Sequence, residues 1–181
     1  CTILDNGSVS CWGRNNDAGY LGDGTTTQRN TPTQTASLGT GRTAVAISAG
    51  DTHTCTILDN GSVSCWGSNH NGLLGDGTNT DSRTPTLTSS LGSDRTAVSI
   101  TSGRYHNCII LDLGSVSCWG SNTFSQLGDG STTARNTPTQ ISGDYWRNLK
   151  VVQVSERDFD NDGTLNIFDD AYYCLAGTYH N

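Results

Sequence analysis

The stretch Gly50-Asp51-Thr52-His53-Thr54-Cys55-Thr56-Ile57-Leu58-Asp59-Asn60-Gly61-Ser62-Val63-Ser64-Cys65-Trp66-Gly67 decides the fold. Thr54 to Leu58 and Ser62 to Trp66 alternate in the manner of strands. Between them lies Asp59-Asn60-Gly61, a three-residue loop ending in glycine, which fits a bulged hairpin with a left-handed residue at its end. That register opposes Leu58 with Ser62, Ile57 with Val63 and Cys55 with Cys65. Directly opposed residues on one face of a hairpin lie near the separation a disulfide requires.

The stretch recurs. Cys1 and Cys11 flank Asp5-Asn6-Gly7, and Cys108 and Cys118 flank Asp112-Leu113-Gly114. Working outward, Leu21, Leu74 and Leu127 and then Pro32, Pro85 and Pro138 keep the same beat, a period of about 53 residues. One extra residue between Trp12 and Leu21 is the sole irregularity. Each repeat holds a leading strand (Thr43 to Ser48, Thr96 to Thr101), with Val45 and Ile47, and Val98 and Ile100, expected on one face. The hairpin follows, then a Leu-Gly-Asp-Gly tetrad, and then a polar segment running to Thr-Pro-Thr. The tetrad glycines are expected to hold backbone shapes that a Cβ prohibits. The proline suits a strand start or a sheet edge. A long period with strand content points to propeller blades, each of which needs neighbours to bury its faces.

Hydrophobic residues make up only 33% of the 181, and glycine is abundant, which favours short strands and tight turns. The net charge is -7, with Lys150 the only lysine, so a nucleic-acid surface of clustered cations is not expected. No signal peptide and no membrane-spanning run is visible in the sequence. The three evenly spaced cysteine pairs are a disulfide pattern and place the protein in an oxidising, extracellular or cell-surface location. Buried free thiols are the alternative. Zinc is disfavoured, because the pairs lack the close spacing of structural zinc sites. Each bridge would contribute roughly 2–3 kcal/mol by constraining the unfolded chain. The seventh cysteine, Cys174, either bridges elsewhere or stays a buried thiol.

Trp12, Trp66 and Trp119 are expected to pack between blades, with a glycan or peptide platform as the minority role. His53 and His106 are expected to be structural and hydrogen-bonded, although a ring of such histidines could hold a metal. Tyr20, His70, Tyr105 and Phe124 depart from the repeat. Variable large groups on a repeated frame are candidates for a binding face. Asn6-Gly7-Ser8 and Asn60-Gly61-Ser62 match the glycosylation pattern and also serve as tight turns. Asp23, Asp76 and Asp129 are repeated turn groups, and no nucleophile motif or phosphate loop is present, so no enzymatic activity is expected.

Gly-x-x-His-x-Cys, the hairpin, Cys-Trp-Gly, Leu-Gly-Asp-Gly and Thr-Pro together resemble the repeats of the regulator of chromosome condensation family. The likeness is nearest to its secreted branch with paired cysteines. It rests on Gly50, His53, Cys55, Cys65, Trp66, Gly67, Leu74, Gly75, Pro85 and their counterparts, over roughly residues 1 to 140. The resemblance implies a seven-bladed propeller. Known members include nucleotide-exchange factors, a beta-lactamase inhibitor and surface proteins. Three copies cannot close a ring. The chain is therefore expected to be part of a longer propeller, or one completed by other subunits. Leu149 to Ser155 resembles a leading strand that could be donated to the first blade of the same chain or of a neighbour.

The sharpest chemical motif runs from Asp158 to Asp169. Asp158, Asp160 and Asp162 hold loop positions 1, 3 and 5, Gly163 makes the sharp turn, Thr164 offers a carbonyl, Asn166 acts at 9, and Asp169 closes the loop. Hard oxygen ligands at this spacing suit calcium, against the alternative of a solvated acidic turn. Asp169 is shorter than the usual closing Glu. The loop resembles half of a dockerin-type repeat, with Ile167 to Leu175 as its exiting helix.

The expectation is therefore an all-β protein with propeller repeats over 1–155 and a calcium loop and helix over 156–181. Its expected role is extracellular, structural or adhesive, stabilised by disulfides and calcium. The expected partners are further copies or other cell-surface proteins, and the alternative is a protein- or glycan-binding propeller module.

Overall fold

A computed structural model of the chain describes residues 1–141. Leu149 to Ser155, Cys174, the helix expected at Ile167 to Leu175, the boundary at 155/156 and the calcium ligands Asp158, Asp160, Asp162, Thr164, Asn166 and Asp169 lie outside the described residues.

Among the described residues, three antiparallel sheets follow one another. The first holds β1 (Thr2–Ile3), β2 (Val9–Gly13) and β3 (Arg29–Gln34). The second runs in order through β4 (Ala44–Ala49), β5 (His53–Leu58), β6 (Val63–Gly67) and β7 (Ser82–Leu87). The third repeats it with β8 (Ala97–Ser102), β9 (His106–Leu111), β10 (Val116–Gly120) and β11 (Arg135–Gln140). A single 3-10 turn, His70–Gly72, interrupts the β6–β7 connection.

The hairpin register is the expected one: Ile57 opposes Val63 and Cys55 opposes Cys65. Leu58 N–H donates to Ser62 O and Gly61 N–H to Leu58 O, both at 2.8 Å, with Gly61 at φ 76°. The Asn60 carboxamide oxygen accepts from Ser62 N–H at 3.1 Å and Ser62 Oγ at 2.7 Å, which closes the turn. Leu113, in the third copy, leaves the backbone turn intact and stands 80% exposed. Cys1–Cys11, Cys55–Cys65 and Cys108–Cys118 are bridged, with Cα atoms 4.0, 4.1 and 4.1 Å apart.

Two expectations about the leading strands change, and a third, that Trp12 packs between blades, fails because Trp12 is 44% exposed. Val45 and Ile47 do not share a face. Ala44 pairs with Leu58 and Ala46 with Ile57, so Val45 is the extra residue of a β-bulge and stands 61% exposed. Val98 bulges in the same way between Ala97 and Ser99 and is 60% exposed. The leading strands also begin one residue later than the alternation predicts. Pro85 sits in the edge strand β7, within the stretch where the register slips between Cys65–Thr86 and Gly67–Ser82. Its missing N–H therefore breaks no ladder bond.

The core lies between sheets. Trp66 packs with Val9, Cys11, Leu21 and Ala44 of the junction behind it. Trp119 packs with Cys55, Ile57, Val63, Cys65 and Leu74. Both indoles are fully buried, whereas Trp12 is 44% exposed. The first glycine of the first two tetrads makes this seat: a Cβ on Gly22 would lie 2.6 Å from Trp66 Nε1, and one on Gly75 2.8 Å from Trp119 Nε1. Trp119 Nε1–H donates to Leu73 O at 3.0 Å. The first sheet has no counterpart of β4 and β8 among the described residues, and Leu4 is 44% exposed where Leu58 and Leu111 are 1% and 4%. Main-chain bonds continue the stacking, with Ala44 N–H donating to Gly7 O and Ala97 N–H to Gly61 O, both at 2.8 Å.

A polar lock joins the second and third sheets. His53 is buried, and its Nε2–H donates to Asn107 Oδ1 at 2.8 Å. Ser102 Oγ donates to the same oxygen at 2.7 Å, and Asn107 Nδ2 donates to Leu73 O at 2.8 Å. His53 Nδ1 is buried without a partner. Burial holds the His53 pKa below its ordinary value, against the Asn107 bond, with His106 and Asp51 as lesser influences.

Trp119→Ala is expected to lose about 3–5 kcal/mol in urea unfolding, and Trp12→Ala less than about 1 kcal/mol. The His53 pKa also gives a pH dependence. The unfolded chain binds a proton below the ordinary histidine value while the folded chain resists it, so stability falls as pH drops from 8 to 5. Urea midpoints across that window should decline for the native protein and decline less for His53→Gln, the residual slope coming from partly buried His106, whose pKa burial also lowers.

Candidate binding face

Strand alternation sends the β2–β3, β4–β5, β6–β7, β8–β9 and β10–β11 connections out of one end of the sheets. The hairpin turns leave the other end. The long connections at the first end are each organised by one asparagine, three residues after the repeated tryptophan: Asn15, Asn69 and Asn122. Asn69 and Asn122 are fully buried. Asn69 Oδ1 accepts from Leu74 N–H at 2.8 Å, while its Nδ2 donates to Asp76 Oδ1 (3.1 Å), Thr78 Oγ1 (3.0 Å) and Thr80 O (3.0 Å). Asn122 repeats the pattern with Leu127 N–H (3.0 Å), Asp129 Oδ1 (3.0 Å) and Ser131 O (3.0 Å). Asn15 makes the reduced set, with Leu21 N–H at 3.3 Å and Thr25 O at 2.9 Å. A carboxamide suits this position because it accepts and donates at once. The phase of these asparagines is visible in the sequence, and the composition of the loops hides it.

The tetrad aspartates are the turn groups expected. Asp23, Asp76 and Asp129 each accept a backbone N–H two residues on, at 2.9 Å, and the hydroxyl of the same residue at 2.8 Å. Arg29 and Arg135 clamp Asp23 and Asp129 at 2.7 and 2.6 Å, and Ser82 takes the arginine's place in the middle copy. The Ser131 hydroxyl and then the Arg135 guanidinium hold Asp129 down to about 2. At Asp23 burial works upward, and the bonds from Thr25 and Arg29 outweigh it, so its pKa is lowered. These carboxylates are committed to loop geometry.

The large groups that break the repeat all emerge at this end. Tyr20 lies in the β2–β3 connection and is half-buried, and His70 is exposed in the β6–β7 connection. Tyr105 is 40% exposed in the β8–β9 turn, and Phe124 is 88% exposed in the β10–β11 connection. The Arg104 guanidinium stacks 4.9 Å from the Tyr105 ring centroid and reaches Asp51 Oδ2 at 3.4 Å. This joins the short turns of neighbouring sheets and holds a flat aromatic–guanidinium surface in place. Among the described residues, no group of three or more His, Cys, Asp and Glu side chains is placed to hold a metal ion.

The "Regulator of chromosome condensation (RCC1) repeat" profile matches residues 6–57, 60–110 and 114–155. Among curated proteins, the chain is 30% identical over 141 residues to the human E3 ubiquitin-protein ligase HERC2, covering 78% of this chain and 3% of that protein. It is 36% identical over 133 residues to the human probable E3 ubiquitin-protein ligase HERC4, covering 74% of this chain and 12% of that protein. The chain thus spans a small part of these relatives. Among solved structures, human WBSCR16 superposes with a TM-score of 0.65 at 22% identity, over 78% of this chain and 36% of that one. Prp20p of Saccharomyces cerevisiae, whose binding to Gsp1p and histones has been described, superposes with a TM-score of 0.63 at 21% identity, over 75% of this chain and 34% of that one. With three successive repeats matched and its sheets stacked as propeller blades, the chain belongs to the RCC1-repeat family.

Proposed function

We propose that this RCC1-repeat module works outside the cell as a structural or adhesive unit, and that it holds other surface proteins with the loop end of its blades. The observation that carries this reading is the repeated staple. One disulfide closes each of the three hairpins at equivalent positions, and such bridges persist in oxidising compartments. Rigid blades presenting Arg104 and Tyr105 in one turn and Phe124 in another loop make a surface with large anchors and little entropy to lose on binding. The fold it shares with Prp20p, which binds proteins, supports the same use. Calcium at Asp158, Asp160, Asp162, Thr164, Asn166 and Asp169 is part of the proposal, as a brace for the region after the repeats.

Four measurements test this. Alkylation of the denatured, unreduced protein from its native source should leave Cys1, Cys11, Cys55, Cys65, Cys108 and Cys118 unlabelled; labelling of all six refutes the extracellular reading. Attachment of protein-coated beads to the producing cells should fall about 10- to 100-fold in the Tyr105→Ala/Phe124→Ala variant with unchanged thermal stability, and equal attachment refutes the binding face. Retention of attachment after protease treatment of the cells, with loss after deglycosylation, would assign a glycan as the partner. Calcium titrated into the chelated protein should release heat that Asp158→Asn/Asp162→Asn abolishes, and should raise the melting temperature.

A further inference from the structure

Asn6 and Asn60 occupy equivalent hairpin turns, and each opens an Asn-Gly-Ser triplet that fits the acceptor pattern for N-linked sugars. Both residues are exposed, and Asn60 belongs to the middle sheet, which has a sheet on either side. In each turn the carboxamide is held by its oxygen alone. Asn60 Oδ1 accepts from Ser62 N–H and Ser62 Oγ, and Asn6 Oδ1 accepts from Ser8 N–H at 3.0 Å and Ser8 Oγ at 2.7 Å. Among the described residues, neither Nδ2 has a hydrogen-bond partner. The hub asparagines are the reverse. Asn69 and Asn122 are fully buried with Nδ2 bonded to their loops, and neither they nor Asn15 is followed two residues on by Ser or Thr. An N-linked sugar replaces one Nδ2 hydrogen and leaves the carbonyl oxygen an acceptor. At Asn6 and Asn60 it therefore breaks no bond of the fold, whereas at a hub it would open the loop.

The backbone of the turn does not call for asparagine. Leu113 holds the place in the third copy, and there Leu111 N–H still donates to Ser115 O at 2.8 Å and Gly114 N–H to Leu111 O at 2.7 Å. Asn60 and Ser62 also border a cleft of about 200 Å³ with Leu91 and Arg95, which leaves room for a sugar ring beside the turn. We infer that Asn6 and Asn60 carry N-linked sugars and that the third hairpin carries none. The co-substrate is a sugar joined to a polyprenyl phosphate or pyrophosphate, delivered by a membrane-bound transferase. Nδ2 attacks the anomeric carbon, and the N–C bond forms as the C–O bond to phosphate breaks. The phosphate leaves with that electron pair, and the proton lost from Nδ2 passes to a base of the transferase. Since such donors are used on the far side of the cell membrane, this modification rests on the extracellular reading proposed above. Both sugars would emerge at the hairpin end, opposite the connections that carry Tyr105 and Phe124, and would leave the candidate binding face bare.

Peptide mapping by mass spectrometry of the full chain from its native source tests this, with free thiols alkylated before reduction. The peptides holding Asn6 and Asn60 should carry a mass that fragments as sugar and is sited on the asparagine, and the peptide holding Leu113 should carry none. In the producing organism, Asn60→Gln and Ser62→Ala should each abolish the mass at Asn60 and leave it at Asn6. Because peptides are read, neither variant has to fold. Either asparagine bare in a protein whose Cys55 and Cys65 are bridged overturns the inference and leaves the extracellular reading standing. Bare asparagines together with alkylated Cys55 and Cys65 overturn both. Sugar that persists at Asn60 in Ser62→Ala also overturns the inference, because the triplet is then not what the transferase recognises.

Discussion

Each sheet is too thin to bury its own faces, and the seating of a tryptophan on the neighbour's disulfide-bearing face is the contact on which the rest depends. Trp119 lies against Cys55 and Cys65, and Trp66 lies against Cys11. A buried indole removes roughly 150–250 Å² from water, a large share of the apolar burial available to a sheet built mostly from Ser, Thr and Gly. The disulfide fixes the surface that receives it, by holding the two hairpin strands in one register. Staple and indole thus divide the work, the first shaping a hairpin and the second joining hairpins into a stack.

With only 33% hydrophobic residues, the stack leans on buried polar groups as well. Asn69 and Asn122 fix loops of about a dozen residues whose leucines alone reach the core, each carboxamide meeting backbone and side-chain partners along its loop. Asn107 joins His53, Ser102 and Leu73 O across the inter-sheet junction. Such groups are costly to bury and stay favourable only when their bonds are complete. Among the described residues, the unpartnered Nδ1 of His53 and Nε1 of Trp66 are the buried side-chain groups where this completeness fails.

The hairpin register, the three bridges, the edge prolines and the inter-sheet role of Trp66 and Trp119 were legible in the sequence, because each rests on strict alternation or on a residue with one physical use. The bulges at Val45 and Val98 were not. A bulge inserts one residue into a run that still alternates, and nothing in Ala-Val-Ala-Ile marks where. The asparagine hubs were written in phase but sat among polar residues that give no periodic signal. Of the candidate binding face, the departing residues Tyr20, His70, Tyr105 and Phe124 could be found by subtracting the repeat. That they emerge at one end follows only once the strand order is known. The stack of Arg104 on Tyr105 could not be foreseen, since it depends on where Asp51 of the preceding sheet draws the guanidinium.

Stapled hairpins, indole seats and asparagine-tied loops make a frame whose rigidity comes from sheet-to-sheet contact and whose variability is confined to loop residues. Hydrogen exchange of the individual indole N–H groups, resolved by NMR on the intact protein, tests this most directly. Trp119, buried and bonded to Leu73 O, should exchange only through opening of the sheet-to-sheet junction, orders of magnitude more slowly than Trp12. Comparable, fast exchange at Trp119 and Trp12 would contradict the account, because it would mean that the sheets are not seated on one another.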